Sequence, residues 1–344
     1  YTYPPGDPPD AGRQLIPCVT GVFTPEPIVP AVMLVVDRSG SMNFDFAGNA
    51  GPPFGNPLTG PRRWTVLRAS LENTLSRFDD RVAFGMVQFP GDGQCGVSSS
   101  IEVLPSVGNA DELMAHLDGV PEGGTPTFGA ITTAATQLAS VRGQALVLIT
   151  DGDPNCNAAL DAATCDCTQP RLGNPPRCND EETCRDAARV TEGLRGLRVD
   201  RGVVTYVVGV GASSPAVVRA LNDMARAGGV PRLGGTNAFY SGATETELAE
   251  ALDAISTRLS RCTWATGTRL GPNDLVVVTV GGEVVPARVA DGWDWADAAS
   301  GDLVLRGAWC TRAAAGEEVR VSLECRGPNC LPLPAQRGEG RGEG

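Results

Sequence analysis

The chain has 344 residues, 42% of them hydrophobic, with a formal net charge of −12 and a pI near 4.7. That length admits two domains, and the acidity argues against nucleic acid or an anionic membrane as partner. All 28 basic residues are arginine. A chain without lysine excludes Schiff-base catalysis, serine–lysine hydrolysis, a phosphate-loop lysine and lysine isopeptide cross-links. The single histidine, His116, removes histidine-based zinc sites and histidine triads.

Residues 1–28 are proline-rich and read as an extended leader. No signal-peptide pattern is visible at Tyr1-Thr2-Tyr3-Pro4-Pro5, so a mature form is expected. Val32 to Val36 is an unbroken apolar run that stops at Asp37, the pattern of a buried parallel strand. Asn43 to Gly60 is a Gly/Pro/Asn-rich insertion, expected to be an ordered surface loop. Trp64, Leu67, Leu71, Leu75 and Phe78 have helical spacing. Strands are predicted at Val82–Phe89 and Ile101–Leu104. A capping box at Asn109 to Glu112 opens the helix of Leu113 and Leu117. Thr127–Val141 is helical and Ala145–Thr150 is a second buried strand. Helix, strand, helix, strand and helix then follow at Glu181–Leu197, Val203–Val210, Ser214–Gly228, Ala238–Tyr240 and Thr244–Leu259. This alternation implies an α/β fold, a doubly wound, mostly parallel sheet with helices on both faces.

After Cys262 the pattern changes to short strands: Leu275–Val280, Glu283–Val289, Asp302–Leu305 and Val319–Leu323. Gly281-Gly282 reads as a hairpin turn. Residues 262–334 are therefore expected to form a small all-β module, with four tryptophans for bulk and cysteines as staples. Residues 335–344, an Arg-Gly-Glu-Gly repeat, read as a solvated tail.

The chemistry gathers at the strand ends. Asp37, Ser39 and Ser41 form an Asp-x-Ser-x-Ser set on a turn that Gly40 permits. Gly123-Gly124-Thr125 presents a free hydroxyl, and the second buried strand ends in Asp151-Gly152. Carboxylates and hydroxyls together suit a hard divalent cation. In order and context these five residues resemble the metal-ion-dependent adhesion site of von Willebrand factor type A domains, over roughly residues 29–261. The resemblance implies that Asp37, Ser39, Ser41, Thr125 and Asp151 hold Mg²⁺, or Mn²⁺ or Ca²⁺. It further implies that the ion accepts an Asp or Glu of a protein partner in its remaining position. The layout also resembles secreted bacterial proteins of the myxobacterial kind, on Cys262-Thr263-Trp264, Gly292-Trp293 and a strand at Cys310.

Eleven cysteines in loop-like positions indicate disulfides and an oxidising compartment, extracellular, at the cell surface or periplasmic. Within the insert of residues 154–184, Cys165, Cys167, Cys178 and Cys184 suggest either a zinc site or a stapled loop. The spacing lacks paired Cys-x₂₋₄-Cys knuckles, which favours staples, and Cys95 makes the local count even. Within the type A resemblance, Cys18 is expected to pair with Cys262 across the base of the domain. The rival pairing is Cys262 with Cys310. Three functions follow: a metal-dependent protein-binding module, a self-assembling subunit of an extracellular filament, or an intracellular chelatase-type subunit, which the cysteines disfavour. No motif of an enzyme is found, and no apolar run is long enough to span a membrane.

Overall fold

A computed structural model describes residues 21–325, apart from Ile28, Phe54, 92–93, 99–100, 139–143, Ala158, 169–177, Asn179, Ser213, Leu233, 267–273, Ala290 and 298–300. The chain runs β1 (Gly21–Phe23), β2 (Glu26–Pro27), β3 (Ala31–Asp37), α1 (Arg63–Phe78), β4 (Ala83–Phe89), β5 (Val103–Ser106), α2 (Ala110–His116) and α3 (Thr127–Leu138). It continues as β6 (Ala145–Thr150), α4 (Ala187–Arg201), β7 (Val204–Val210), α5 (Pro215–Ala227), β8 (Tyr240–Gly242) and α6 (Glu245–Cys262). The C-terminal part holds β9 (Thr263–Ala265), β10 (Asp274–Val280), β11 (Glu283–Val284), β12 (Trp293–Asp297), β13 (Asp302–Leu305), α7 (Ala308–Ala314) and β14 (Val319–Cys325).

The main sheet has the order β5-β4-β3-β6-β7-β8, and every pairing in it is parallel except β4 with β5. β3 is buried along its whole length, as its continuous apolar run requires. Val32, Leu34 and Val36 face one core with residues of α1, α2 and α6. Ala31, Met33 and Val35 face a second core with α3, α4 and α5. Period-two alternation therefore feeds both helical layers from one strand. β3 and β6 are neighbours, which sets Asp37 and Asp151 side by side at their carboxyl ends.

Local chemistry explains the helix starts. Ser214 accepts a hydrogen bond from Val217 N at 3.2 Å, with Pro215 in the first turn of α5. Thr244 accepts from Glu247 N at 3.2 Å at the start of α6. Asn109 does not cap α2 as the capping box implied. Asp79 does so instead, accepting from Asn109 N and Ala110 N, while Asn109 Nδ2 donates to Phe84 O. The helix expected from Glu181 begins only at Ala187; Glu181–Thr183 is a single 3-10 turn before the bridged Cys184.

The C-terminal part packs two antiparallel sheets, β1-β14-β10-β11 and β12-β13-β9-β2, around Val278, Val280, Trp293, Leu303, Leu305 and Val321. Gly281 and Gly282 turn the β10–β11 hairpin with φ of 57° and 85°. β11 stops at Val284 rather than Val289, because Pro286 has no N–H to donate and Arg288 takes φ 58°. Three further findings differ from the sequence expectation. Residues 21–27, assigned to the leader, supply an edge strand to each small sheet: β1 on β14 and β2 on β9. Cys310 lies on helix α7, not on a strand. Cys262 is bonded to Cys310, which overturns the Cys18–Cys262 bridge; Cys18 lies outside the described residues. The insert carries disulfides Cys165–Cys184 and Cys167–Cys178, and Cys95 pairs with Cys156, so thiolate zinc ligation gives way to staples. Among the described residues no cysteine is free, and no helix is long and apolar enough to cross a membrane.

Candidate metal centre

Asp37 ends β3 with its carboxylate fully buried. Its Oδ1 accepts from Ser39 N at 2.8 Å, which closes an Asx turn and folds the chain back over the strand end. Gly40 continues this turn and donates its N–H to Gly123 O at 3.0 Å. Ser39 Oγ lies 3.1 Å from Ser41 Oγ, and Ser41 Oγ donates to Asp151 Oδ1 at 2.8 Å. Asp37, Ser39, Ser41 and Asp151 are thus linked in series, first by the Ser39 N–H and then by the two serine hydroxyls.

Thr125 reaches the same place from another loop. Its turn is joined to the first through the Gly40–Gly123 bond. Thr125 N donates to Asn155 Oδ1 at 2.7 Å, and Asn155 N donates back to Thr125 O at 3.0 Å. Gly124 N donates to Gln94 O at 2.8 Å. A Cβ on Gly124 would stand 2.3 Å from Cys156 Sγ, so only glycine lets this loop lie on the Cys95–Cys156 disulfide. Thr125 is 5% exposed. Its loop is tied to the turn of Ser39 and Ser41 through that backbone bond between Gly40 and Gly123.

Three residues of the site carried no signal in the sequence. Thr150, the last residue of β6, donates its hydroxyl to Asp37 Oδ2 at 2.6 Å. Asn155 holds the Thr125 loop. Arg63, the first residue of α1, pairs through Nη1 with Asp151 Oδ2 at 2.6 Å. Beside the site, Asp45 anchors the 43–60 insertion, accepting from Asn49 N, Asn49 Nδ2, Thr59 N and Thr59 Oγ1 at 2.7 to 2.9 Å. Those bonds hold its carboxyl well below the usual range and give the loop its order.

Burial pushes the Asp37 carboxyl up to about 7, and the charge of Asp151 adds to it against the hydrogen bonds from Ser39 and Thr150. Burial also raises Asp151, opposed by Arg63. Both carboxylates are buried, and the Arg63 guanidinium pairs with that of Asp151. The donor set of two carboxylates and three hydroxyls is all hard oxygen, which fits Mg²⁺, Mn²⁺ or Ca²⁺ and not a thiophilic metal.

Comparison with solved structures finds weak overall likenesses. The PilB minor pilin from Streptococcus sanguinis is 18% identical with a TM-score of 0.47, covering 68% of this chain and 62% of that one. The pilus adhesin SpaC from Lactobacillus rhamnosus GG is 15% identical with a TM-score of 0.47, covering 86% of this chain and 39% of that one. The vWF domain of the type V pili tip protein Mfa5 from Porphyromonas gingivalis is 13% identical with a TM-score of 0.43, covering 67% of this chain and 94% of that one. The chain thus spans less than two thirds of the first two proteins. No curated protein matches the chain. The sequence profile of the von Willebrand factor type A domain matches residues 31–254, from the start of β3 into α6 and well over half of the chain. The chain belongs to the von Willebrand factor type A domain family.

Proposed function

We propose that this chain is a binding protein of an oxidising, extracellular or cell-surface compartment. It engages an Asp or Glu of a protein partner through a divalent cation held by Asp37, Ser39, Ser41, Thr125 and Asp151. The observation that carries this reading is the continuous contact of Asp37, Ser39, Ser41 and Asp151 at the ends of β3 and β6, with a local excess of negative charge. Hydroxyl ligands are neutral. An ion bound largely by them keeps most of its charge and attracts an incoming carboxylate. The ion thereby gives an otherwise acidic chain one strongly positive point, which is where an acidic partner docks. The four disulfides among the described residues support the compartment.

The test is calorimetric titration of the intact protein with Mg²⁺, Mn²⁺ and Ca²⁺, beside Asp37→Ala and Thr125→Ala. A glutamate-containing peptide is then added to ion-loaded protein and to protein in chelator. Ion binding lost in both variants, and peptide binding lost with chelator, are expected. Equal ion binding by wild type and Asp37→Ala would refute the site. Ion-dependent growth in particle size without peptide would identify the partner as a second copy of this chain, the filament form of the same reading.

A further inference from the structure

We propose that Arg63 is a built-in counter-ion of the metal centre, a positioning residue that lowers the site's affinity for the divalent ion and leaves the bound ion more attractive to an anion. The inference rests on the reading of Asp37, Ser39, Ser41, Thr125 and Asp151 as an ion site.

The placement of Arg63 has no explanation in its own helix. It is the first residue of α1, where the helix dipole is positive and favours acidic side chains. It is also 7% exposed, and a buried guanidinium is costly unless paired. Both penalties are met by one partner, the buried Asp151, at 2.6 Å. The fold makes room for this. Gly211, just past the end of β7, has φ of 60°, and a Cβ there would stand 2.6 Å from Arg63 Nε. Arg63 Nη2 reaches toward Gly211 O at 3.4 Å, while Nε has no hydrogen-bond partner among the described residues. The guanidinium is therefore aimed at the carboxylate and not held by a wider network.

The two oxygens of Asp151 are divided. Oδ1 accepts from the Ser41 hydroxyl and faces the turn that carries Ser39; Oδ2 belongs to Arg63. An ion approaching the Ser41 side meets one oxygen of Asp151, and the other stays neutralised. With Asp37 and Asp151 ionised, the charge of the pair falls from two negatives to one. A dication then keeps a net positive charge instead of being cancelled. Arg63 thus costs ion affinity by like-charge repulsion and favours the carboxylate that completes the coordination.

The test compares Mg²⁺ affinity of wild type, Arg63→Gln and Arg63→Lys by calorimetry, with thermal melts in chelator and in Mg²⁺. Arg63→Gln is expected to bind Mg²⁺ at least about tenfold more tightly, and its ion-loaded form to bind a glutamate peptide more weakly. Arg63→Lys, which keeps the charge, is expected to stay within about threefold of wild type. Equal Mg²⁺ affinity in folded wild type and Arg63→Gln would overturn the inference and leave the metal reading standing. If Arg63→Gln unfolds in chelator, recovery in Mg²⁺ supports the counter-ion role, and failure to recover in saturating Mg²⁺ makes Arg63 a structural tie and overturns it. If neither wild type nor Arg63→Gln binds Mg²⁺, Mn²⁺ or Ca²⁺, the metal reading falls and takes the inference with it.

Discussion

Thr150 donates its hydroxyl to Asp37 Oδ2 at 2.6 Å, across the seam between the two strands that carry the carboxylates. The bond favours the ionised form of Asp37, the form an ion needs. Thr150→Val keeps the β-branched shape the strand requires and removes the donor. The buried oxygen is then unpaired, at a cost of about 1–3 kcal/mol. Asp37 holds its proton more tightly, and Mg²⁺ affinity at neutral pH is expected to fall about tenfold with the fold intact. Calorimetry of the valine variant checks this, and unchanged affinity would mean that the bond only orients the strand.

The same carboxylate sets a pH dependence. Asp37 has an ordinary value of 3.8 and is raised to about 7 in the folded chain without an ion. Between those values the folded state binds more protons than the unfolded chain. Its stability therefore falls as pH rises through this window and levels off above it. Asp151, Glu102 and Asp186 are raised by burial and act in the same direction. Asp45 is lowered, so its contribution is lost only in acid below its ordinary range. Melting temperatures in chelator should thus be higher at pH 5 than at pH 8, and saturating Mg²⁺ should narrow or reverse the difference. A melting temperature in chelator that climbs from pH 5 to pH 8 would contradict the assignment.

What the sequence made legible was local. The run Val32 to Asp37, the Asp-x-Ser-x-Ser turn and the run Ala145 to Asp151 each state their conformation within a few residues, and the elements lie close to where that pattern puts them. What escaped depends on distant partners. Arg63 meets Asp151 across 88 positions, and at a helix start it looks like any solvated arginine. Thr150 is indistinguishable from a residue chosen for β-branching. The strands at Gly21–Phe23 and Glu26–Pro27 are fixed by partners near Ser322 and Ala265, so their proline content suggested only an extended chain. A strand was expected at Cys310, yet Gly307 at φ 61° turns the chain into the helix Ala308–Ala314.

Cys95 and Cys156 are bonded directly beneath Gly124, so their disulfide supports the loop that presents Thr125. Replacing both by alanine should leave the sheet folded, because neither cysteine lies on a strand or helix. The chain-entropy model sets the loss of stability at no more than about 4 kcal/mol. Mg²⁺ affinity should fall severalfold as the Thr125 hydroxyl loses its fixed position. An affinity equal to wild type would show that the Asn155 clamp alone positions the loop.

Cys262 and Cys310 join the end of α6 to α7 inside the core of the C-terminal sheets. Thr263 begins β9 directly after Cys262, and β9 pairs with β2 in the register Pro27 with Trp264. Only three residues separate Pro27 from the start of β3 at Ala31. Both covalent connections between the main sheet and the small sheets therefore run side by side, and the disulfide adds a third tie at the same point. An axial movement of α6 has to carry the small sheets with it. Removing the bridge in a Cys262→Ala/Cys310→Ala variant opens a loop of 48 positions, worth up to about 4 kcal/mol in the chain-entropy model. That loss falls on the C-terminal sheets, whose core contains both cysteines, and not on the main sheet with its two separate cores. Calorimetry is expected to show a lower-temperature transition split from the main one. Mg²⁺ affinity should stay within about twofold, since the β2–β9 pairing still holds the end of α6. A single transition at the wild-type temperature would show that the bridge is dispensable. A Mg²⁺ affinity changed tenfold would show that the position of α6 is read at the metal centre.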